Sequence, residues 1–393
     1  MQVVRNKFTD KLQTGGSAER REITIMKRRR LMMTLTAAVL AAVLGAGTAM
    51  AEETCKSYLT GETVSTDIGR VRPIAVMFNN IYDAIPQYGI ENCGVVYEAP
   101  VEGSITRLMG IMEDYQDVPR IGSVRSCRNY YIYLAREFNA IYAHFGQAVY
   151  AEPILNLPST NNLSGLGDYG DLIYYRSEDR VSPHNVFTTY DGIQAGIDAY
   201  GYSREYAPAY TGHYQFAEDG ETVTLEGGQD ALVVLPGYTY NHARFEYDAS
   251  TGLYNRFQYG DAQVDGNTGD QLAYKNIILQ YCDWENFDEN GYLNIDVVHG
   301  GSGKYITNGK AIDIYWEKEN YDPDSELYCT VESQYCSVPV HADDFNVVRY
   351  YDMNGNEIKL NQGKTWVCIV RNSYSDHVTI SDDPTISSDV IDF

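Results

Sequence analysis

The stretch from Arg72 to Gly146 constrains the fold more than any other part of the chain. Three apolar β-type runs, Arg72–Asn79, Val95–Asp114 and Ala140–Phe145, surround one helical run, Ser126–Phe138. Within the second run, Val95–Val101 and Ser104–Asp114 read as a hairpin turning at Glu102-Gly103. Ser126 is the expected N-cap of the helix, with Tyr131, Leu134, Ala135 and Phe138 following at helical spacing. Polar groups interrupt these runs at Asn79, Glu98, Glu102, Arg107, Arg125, Arg128 and His144. A buried element carries such groups only if each finds a partner. The pattern implies an α/β layer with a polar cleft at one edge.

Ile81–Gly94 and Leu157–Gly170 are rich in Gly, Asn, Asp and Pro and read as loops. Thr188 and Asp191 then form a capping-box pattern for a second helix, with Ile193, Ile197 and Tyr200 facing the core. From about Asp230 helical periodicity ends. Short β-type runs alternate with turns such as Asp248–Gly252, Asn267–Gly269, Glu289–Gly291, Asn308-Gly309 and Asn354-Gly355. The expected fold class is an α/β (α+β) N-terminal domain with a mixed sheet, followed by a mostly antiparallel β C-terminal domain. The boundaries expected are a tether at 52–69, the N-terminal domain at 70–210, a linker at 211–227, the C-terminal domain at 228–372 and a tail at 373–393.

Residues 1–51 read as a targeting segment. Lys27–Arg30 is a basic n-region, Leu31 to about Gly45 an apolar h-region, and Ala49-Met50-Ala51 a cleavage signal before Glu52. Met26 is an alternative start that would shorten an otherwise long leader. An uncleaved anchor is the competing reading, since the run is nearly long enough to span a membrane. The chain carries 30 Lys+Arg and 54 Asp+Glu. The first 51 residues hold 9 and 3 of these, leaving 21 against 51 and a net −30 from residue 52 on. So acidic a surface excludes nucleic acid as a partner and disfavours adsorption to anionic membranes. All seven Cys follow residue 51, without a C-x-x-C or zinc-ligand spacing. An odd number leaves at least one thiol free or paired outside the chain. Cys329 and Cys336 are the disulfide candidate, because Glu332-Ser333-Gln334 could turn two strands face to face.

Three arginines carry the site expectation. Arg125 and Arg128 flank the helix start, and Arg107 lies on the opposite hairpin arm. Converging guanidinium groups bind a carboxylate or phosphate bidentately. The bland alternative is that Glu98 and Glu102 neutralise them. Asn79 and His184 are placed at the rim, where strand ends of an open α/β sheet form a crevice. His144 and His184 beside two Glu would permit acid–base chemistry, so Glu98, Glu102, His144 and His184 are the candidate catalytic groups. Asp265, Asn267 and Asp270 lack the ligand spacing of a Ca²⁺ loop, and no metal or other cofactor is expected. There is no G-x-S-x-G, P-loop or H-E-x-x-H. The 35 Tyr residues suit half-buried strand faces or sugar stacking. Two functions stay open: a binder of an anionic wall component or envelope protein, and a hydrolase or transferase acting on wall glycan or peptide.

The residues RPIAVMFNN, VVYEAPVEGSITR, GSVRSCRNY, the HFG at His144, the PHN at His184, FEYDASTGLYNR, NIILQY and GKTWVCIV together resemble the YerB-like lipoprotein family of Gram-positive bacteria. The resemblance implies an N-terminal α/β domain and a C-terminal β domain at the outer face of the cytoplasmic membrane, extracellular or in the envelope, with no established activity. Two departures stand out. The family's usual lipidated Cys has no match, since Glu53-Thr54 precedes Cys55. Cys93 and Cys127 replace the family's Ala, and Gly94 replaces its Asp.

Overall fold

Strand alternation organises the fold, and it decides which side chains can meet. In the computed structural model, residues 53–322, 324, 327–332 and 337–386 are described, with backbone alone for 327–332 and 337. From the first half of the chain come β1 (Ile74–Asn79), β2 (Val95–Pro100), β3 (Thr106–Met112), β4 (Ile141–His144) and β5 (Asn162–Ser164). The second half adds β6 (Gln229–Asp230), β7 (Asn276–Cys282), β8 (Gly301–Thr307), β9 (Lys310–Lys318), β10 (Val348–Asp352) and β11 (Thr365–Arg371). All join one 11-stranded mixed sheet in the order β6-β9-β8-β7-β11-β2-β3-β1-β4-β5, with β10 also on β9. The seam between halves is β11, which runs parallel to both β7 and β2.

Every residue of β1, β2 and β3 is buried. Near-continuous apolar runs are what strands covered on both faces require. Ala75, Met77, Tyr97 and Met109 point to one face, where helix α1 (Asn129–Glu137) packs with Tyr131 and Leu134. Val76, Phe78, Val96 and Leu108 point to the other, under Ile193 and Ile197 of helix α2 (Tyr190–Tyr200). A second, six-stranded sheet adds Phe245 and Tyr254 to that face. Its hairpin turns where Asp248 pairs with Leu253. The Asn308-Gly309 turn joins β8 to β9 with both residues at positive φ, 49° and 74°, the backbone a two-residue hairpin needs.

Several expectations are corrected. Helix α1 starts at Asn129 with Arg128, in extended conformation, as its cap residue, so Ser126 lies outside the helix. Thr189, not Thr188, caps α2 by accepting from Gly192 N–H, while Thr188 Oγ1 donates to Ile173 O. The expected tether is docked: Thr54–Lys56 pairs with Thr63–Ser65, and Leu59 is buried in the main core. That docking also accounts for Gly94, where a Cβ would stand 2.8 Å from Leu59 Cβ. The expected linker contributes Gln215–Phe216, paired with Lys359–Leu360. The expected tail contributes Thr379–Ser381, paired with Val233–Leu235. Asn162–Ser164, within an expected loop, is the edge strand β5.

Two fully buried ion clusters tie the halves together. Glu98 on β2 accepts from Arg256 Nη2 at 2.8 Å, Thr106 Oγ1 at 2.8 Å and Asn241 Nδ2 at 2.8 Å. Glu137, at the end of α1, takes Lys318 on one carboxylate oxygen and His213 Nε2 at 2.7 Å on the other. His213 stacks on Phe138 with centroids 4.3 Å apart. The Cys329–Cys336 pairing falls on side chains outside the described residues.

Candidate functional site

Register places Asn79 opposite Arg107 on β1 and β3, at one end of the sheet and on the α1 face. Arg107 is 5 % exposed and donates Nη1 to Ser126 O at 2.8 Å, while its Nε is buried without a partner. Burial, together with Arg128 and Arg125 nearby, pulls its pKa down to about 10, so it remains charged at neutral pH. Arg125 is half-buried, and no hydrogen bond or ion pair to its guanidinium occurs among the described residues. Burial lowers its pKa, and Arg128 and Arg176 lower it further. Its backbone is fixed by the N–H bond to Met77 O and by Phe145 N–H donating to its carbonyl.

Arg128 does have a carboxylate. Its Nε and Nη2 clamp Glu102 at 2.9 and 2.5 Å, and its Nη1 donates to Cys127 O at 2.8 Å. Burial alone would raise the pKa of Glu102, but the bond and charge of Arg128 outweigh it and hold the carboxyl below its ordinary value. Glu102 therefore stays anionic at neutral pH and has no proton to give. His184 is half-buried, and its Nδ1 lies 2.7 Å from Asn79 Nδ2. Partial burial lowers its pKa, with Arg125 adding to the effect. The structure thus brings together Asn79, Glu102, Arg107, Arg125, Arg128 and His184.

Glu98 and His144 do not join them. Glu98 pairs with Leu108 and Ala99 with Arg107, so Glu98 and Arg107 leave the sheet on opposite faces. Its carboxylate is spent on Arg256 and two neutral donors. His144 lies on the α1 face but is fully buried, with its ring nitrogens 2.9 Å from Gly146 O and 3.2 Å from Asn162 Oδ1. Burial lowers its pKa. Neither group can reach a substrate, so the expected cluster of two Glu and two His reduces to Glu102 and His184. Cys127, next to Arg128, is no nucleophile: burial pushes its thiol up to about 12. Asp265, in the loop weighed for Ca²⁺, spends its carboxylate on Glu91 N–H at 3.0 Å and Asn267 N–H at 2.7 Å.

Arg176 and Arg180 were missed from sequence and belong to the same cationic region. Arg176 acts on Arg125, and Arg180 on His184. Arg176 donates to Asn185 Oδ1 at 2.8 Å, and Arg180 to the carbonyls of Ala84 and Pro86 at 2.6 and 2.7 Å. Neither is paired with a carboxylate among the described residues. The available signal was their position within YYRSEDRVSPHN, on either side of the turn before His184.

Comparison with known proteins agrees with this architecture. Residues 59–203 match the N-terminal domain of the family described as "Protein of unknown function (DUF3048)", and residues 233–333 match its C-terminal domain. "Putative lipoprotein YerB" of Bacillus subtilis (strain 168) is 29% identical over 269 residues, 67% of this chain and 78% of that protein. The crystal structure of YerB protein from Bacillus subtilis is similar with a TM-score of 0.67 and 26% identity, over 84% of this chain and all of that one. Among the described residues, no helix is long and apolar enough to cross a membrane. With both domains matched in order, and a relative and a solved structure of the same kind, the chain belongs to the YerB-like family of DUF3048 proteins, whose function is unknown.

Proposed function

We propose that this is an exported protein of the cell envelope, at the outer face of the cytoplasmic membrane, that captures an anionic wall component through Asn79, Arg107, Arg125 and His184. One observation carries the reading. Arg125 stands half-buried with only like charges for neighbours, in a chain with acid to spare. An isolated, partly desolvated guanidinium is costly, and an incoming phosphate or carboxylate offsets that cost by a bidentate bond. Export rests on the basic, apolar and A-x-A succession before Glu52, and envelope association on the name of the relative. Catalysis is the weaker reading, because Glu102 cannot act as an acid and Glu98 and His144 are sealed.

The test is binding of a phosphate-bearing wall polymer, such as polyglycerol phosphate, by titration calorimetry. Arg125→Ala is expected to weaken capture at least tenfold. Since its neighbours are like charges, its removal should change stability by no more than about 0.5 kcal/mol, or raise it slightly. Binding should also weaken with added salt. An Arg125→Ala protein that binds the polymer normally sinks the assignment. Arg128→Ala is no substitute, since it strands Glu102.

A further inference from the structure

A second cavity, not lined by Arg107, Arg125 or Arg128, lies beside Asn129 and Tyr133 of α1. It holds about 650 Å³, within the range of small-ligand sites. Trp284, Phe287 and Tyr321 supply aromatic walls, and Asp283, Glu285, Asp296 and Asp344 supply carboxylates. Among the described residues, no Lys or Arg is part of its lining. The histidines present are His299, whose Nδ1 lies 2.9 Å from both oxygens of Asp296, and His341. Trp284 already receives one cation on its ring, the Arg371 guanidinium at 5.0 Å.

Asp344 separates this cavity from an ordinary solvated acidic face. It is 7 % exposed, and only one of its oxygens is used, Oδ2 accepting from His341 N–H at 2.8 Å. Oδ1 has no hydrogen-bond partner among the described residues. Burial raises the pKa of this carboxyl, with Lys318, His299 and His341 acting in the other direction. A neutral glycan can donate hydroxyl hydrogen bonds to carboxylates, but it leaves the gathered negative charge uncompensated. A cation gains from both the carboxylates and the ring faces.

We propose that this cavity is a second ligand site, for a primary ammonium group on an aliphatic stem, as in a lysine-type side chain. The stem lies along Trp284 and Phe287, and the ammonium meets Asp296 and the free oxygen of Asp344. The site is independent of the arginine region and takes a ligand of opposite charge.

Of the three tryptophans, Trp316 and Trp366 are buried, so quenching of Trp284 reports on this cavity. The probes are Nα-acetyl-lysine methylamide, its uncharged isostere Nα-acetyl-norleucine methylamide, and an N-acetylglucosamine trimer, each titrated by fluorescence and calorimetry. The lysine probe should bind at least tenfold more tightly than the isostere and the sugar. Asp344→Asn and Trp284→Phe should each weaken it about tenfold. Glu285→Gln, on an exposed residue and safe for folding, should weaken it about threefold. Equal binding of lysine and norleucine probes, tighter binding of the sugar, or no binding of any probe overturns the proposal.

Discussion

Replacing Arg256 by Ala is expected to destabilise the fold by about 3–5 kcal/mol, the usual cost of leaving a buried charge without its partner. Glu98 and Arg256 are both fully buried, 2.8 Å apart, and join β2 to the strand Leu253–Gln258 of the second sheet. The guanidinium is also wedged between Phe245 and Trp366, its centre 4.7 and 4.8 Å from their rings. Truncation would therefore remove packing between the two sheets as well as charge. Glu98→Gln/Arg256→Met should recover more than half of the loss. The glutamine oxygen still accepts from Thr106 and Asn241, and methionine refills the space between the rings. Denaturant unfolding of the purified variants reads this directly. An Arg256→Ala protein within about 0.5 kcal/mol of the parent, the range of an ordinary surface change, would show that the pair does not hold the sheets together.

The same pair shows where sequence reading stopped. Glu98 and Arg107 are close along one hairpin, so both were assigned to one cleft. The partner that claims Glu98 is 158 residues away in sequence, and no local pattern announces it. Parity settles the matter once register is known: Ala99, not Glu98, shares a face with Arg107. The hairpin itself, the apolar β1 run and the Asp248–Gly252 and Asn308-Gly309 turns were legible, because each depends on a few neighbouring residues. The insertion of β11 beside β2 was not legible, since parallel pairing leaves no turn signature. Two short polar segments, Thr54–Lys56 and Thr379–Ser381, read as tether and tail because their order comes from the body they dock on. For the site, the arginines and Asn79 could be read as breaks in apolar runs. His144 could not be judged that way, because a sealed histidine and an open one interrupt a strand identically.

Lys318→Met should reverse the sign of the fold's response to acid. In the parent, burial would raise Glu137, but Lys318 and His213 together hold its carboxyl below the ordinary value. Burial lowers His213, so the imidazole stays neutral and donates Nε2–H to Glu137. Both shifts are downward. Stability is then fully present above the unfolded histidine value of about 6.5 and is lost as pH falls below it, first through His213 and then through Glu137. Without Lys318 the buried carboxylate keeps only neutral donors, His213 at 2.7 Å and the Val348 N–H at 3.4 Å, so its pKa moves above the unfolded value. A proton taken up by Glu137 or by His213 then relieves the stranded charge. The variant should be about 3–5 kcal/mol less stable than the parent near pH 8. The gap should shrink as pH falls towards 5, the parent losing stability while the variant gains it. Melting temperatures of the two proteins across pH 5–8 test this. Parallel profiles, offset by a constant, would mean that Lys318 contributes packing alone and that the Glu137 charge is not what it balances.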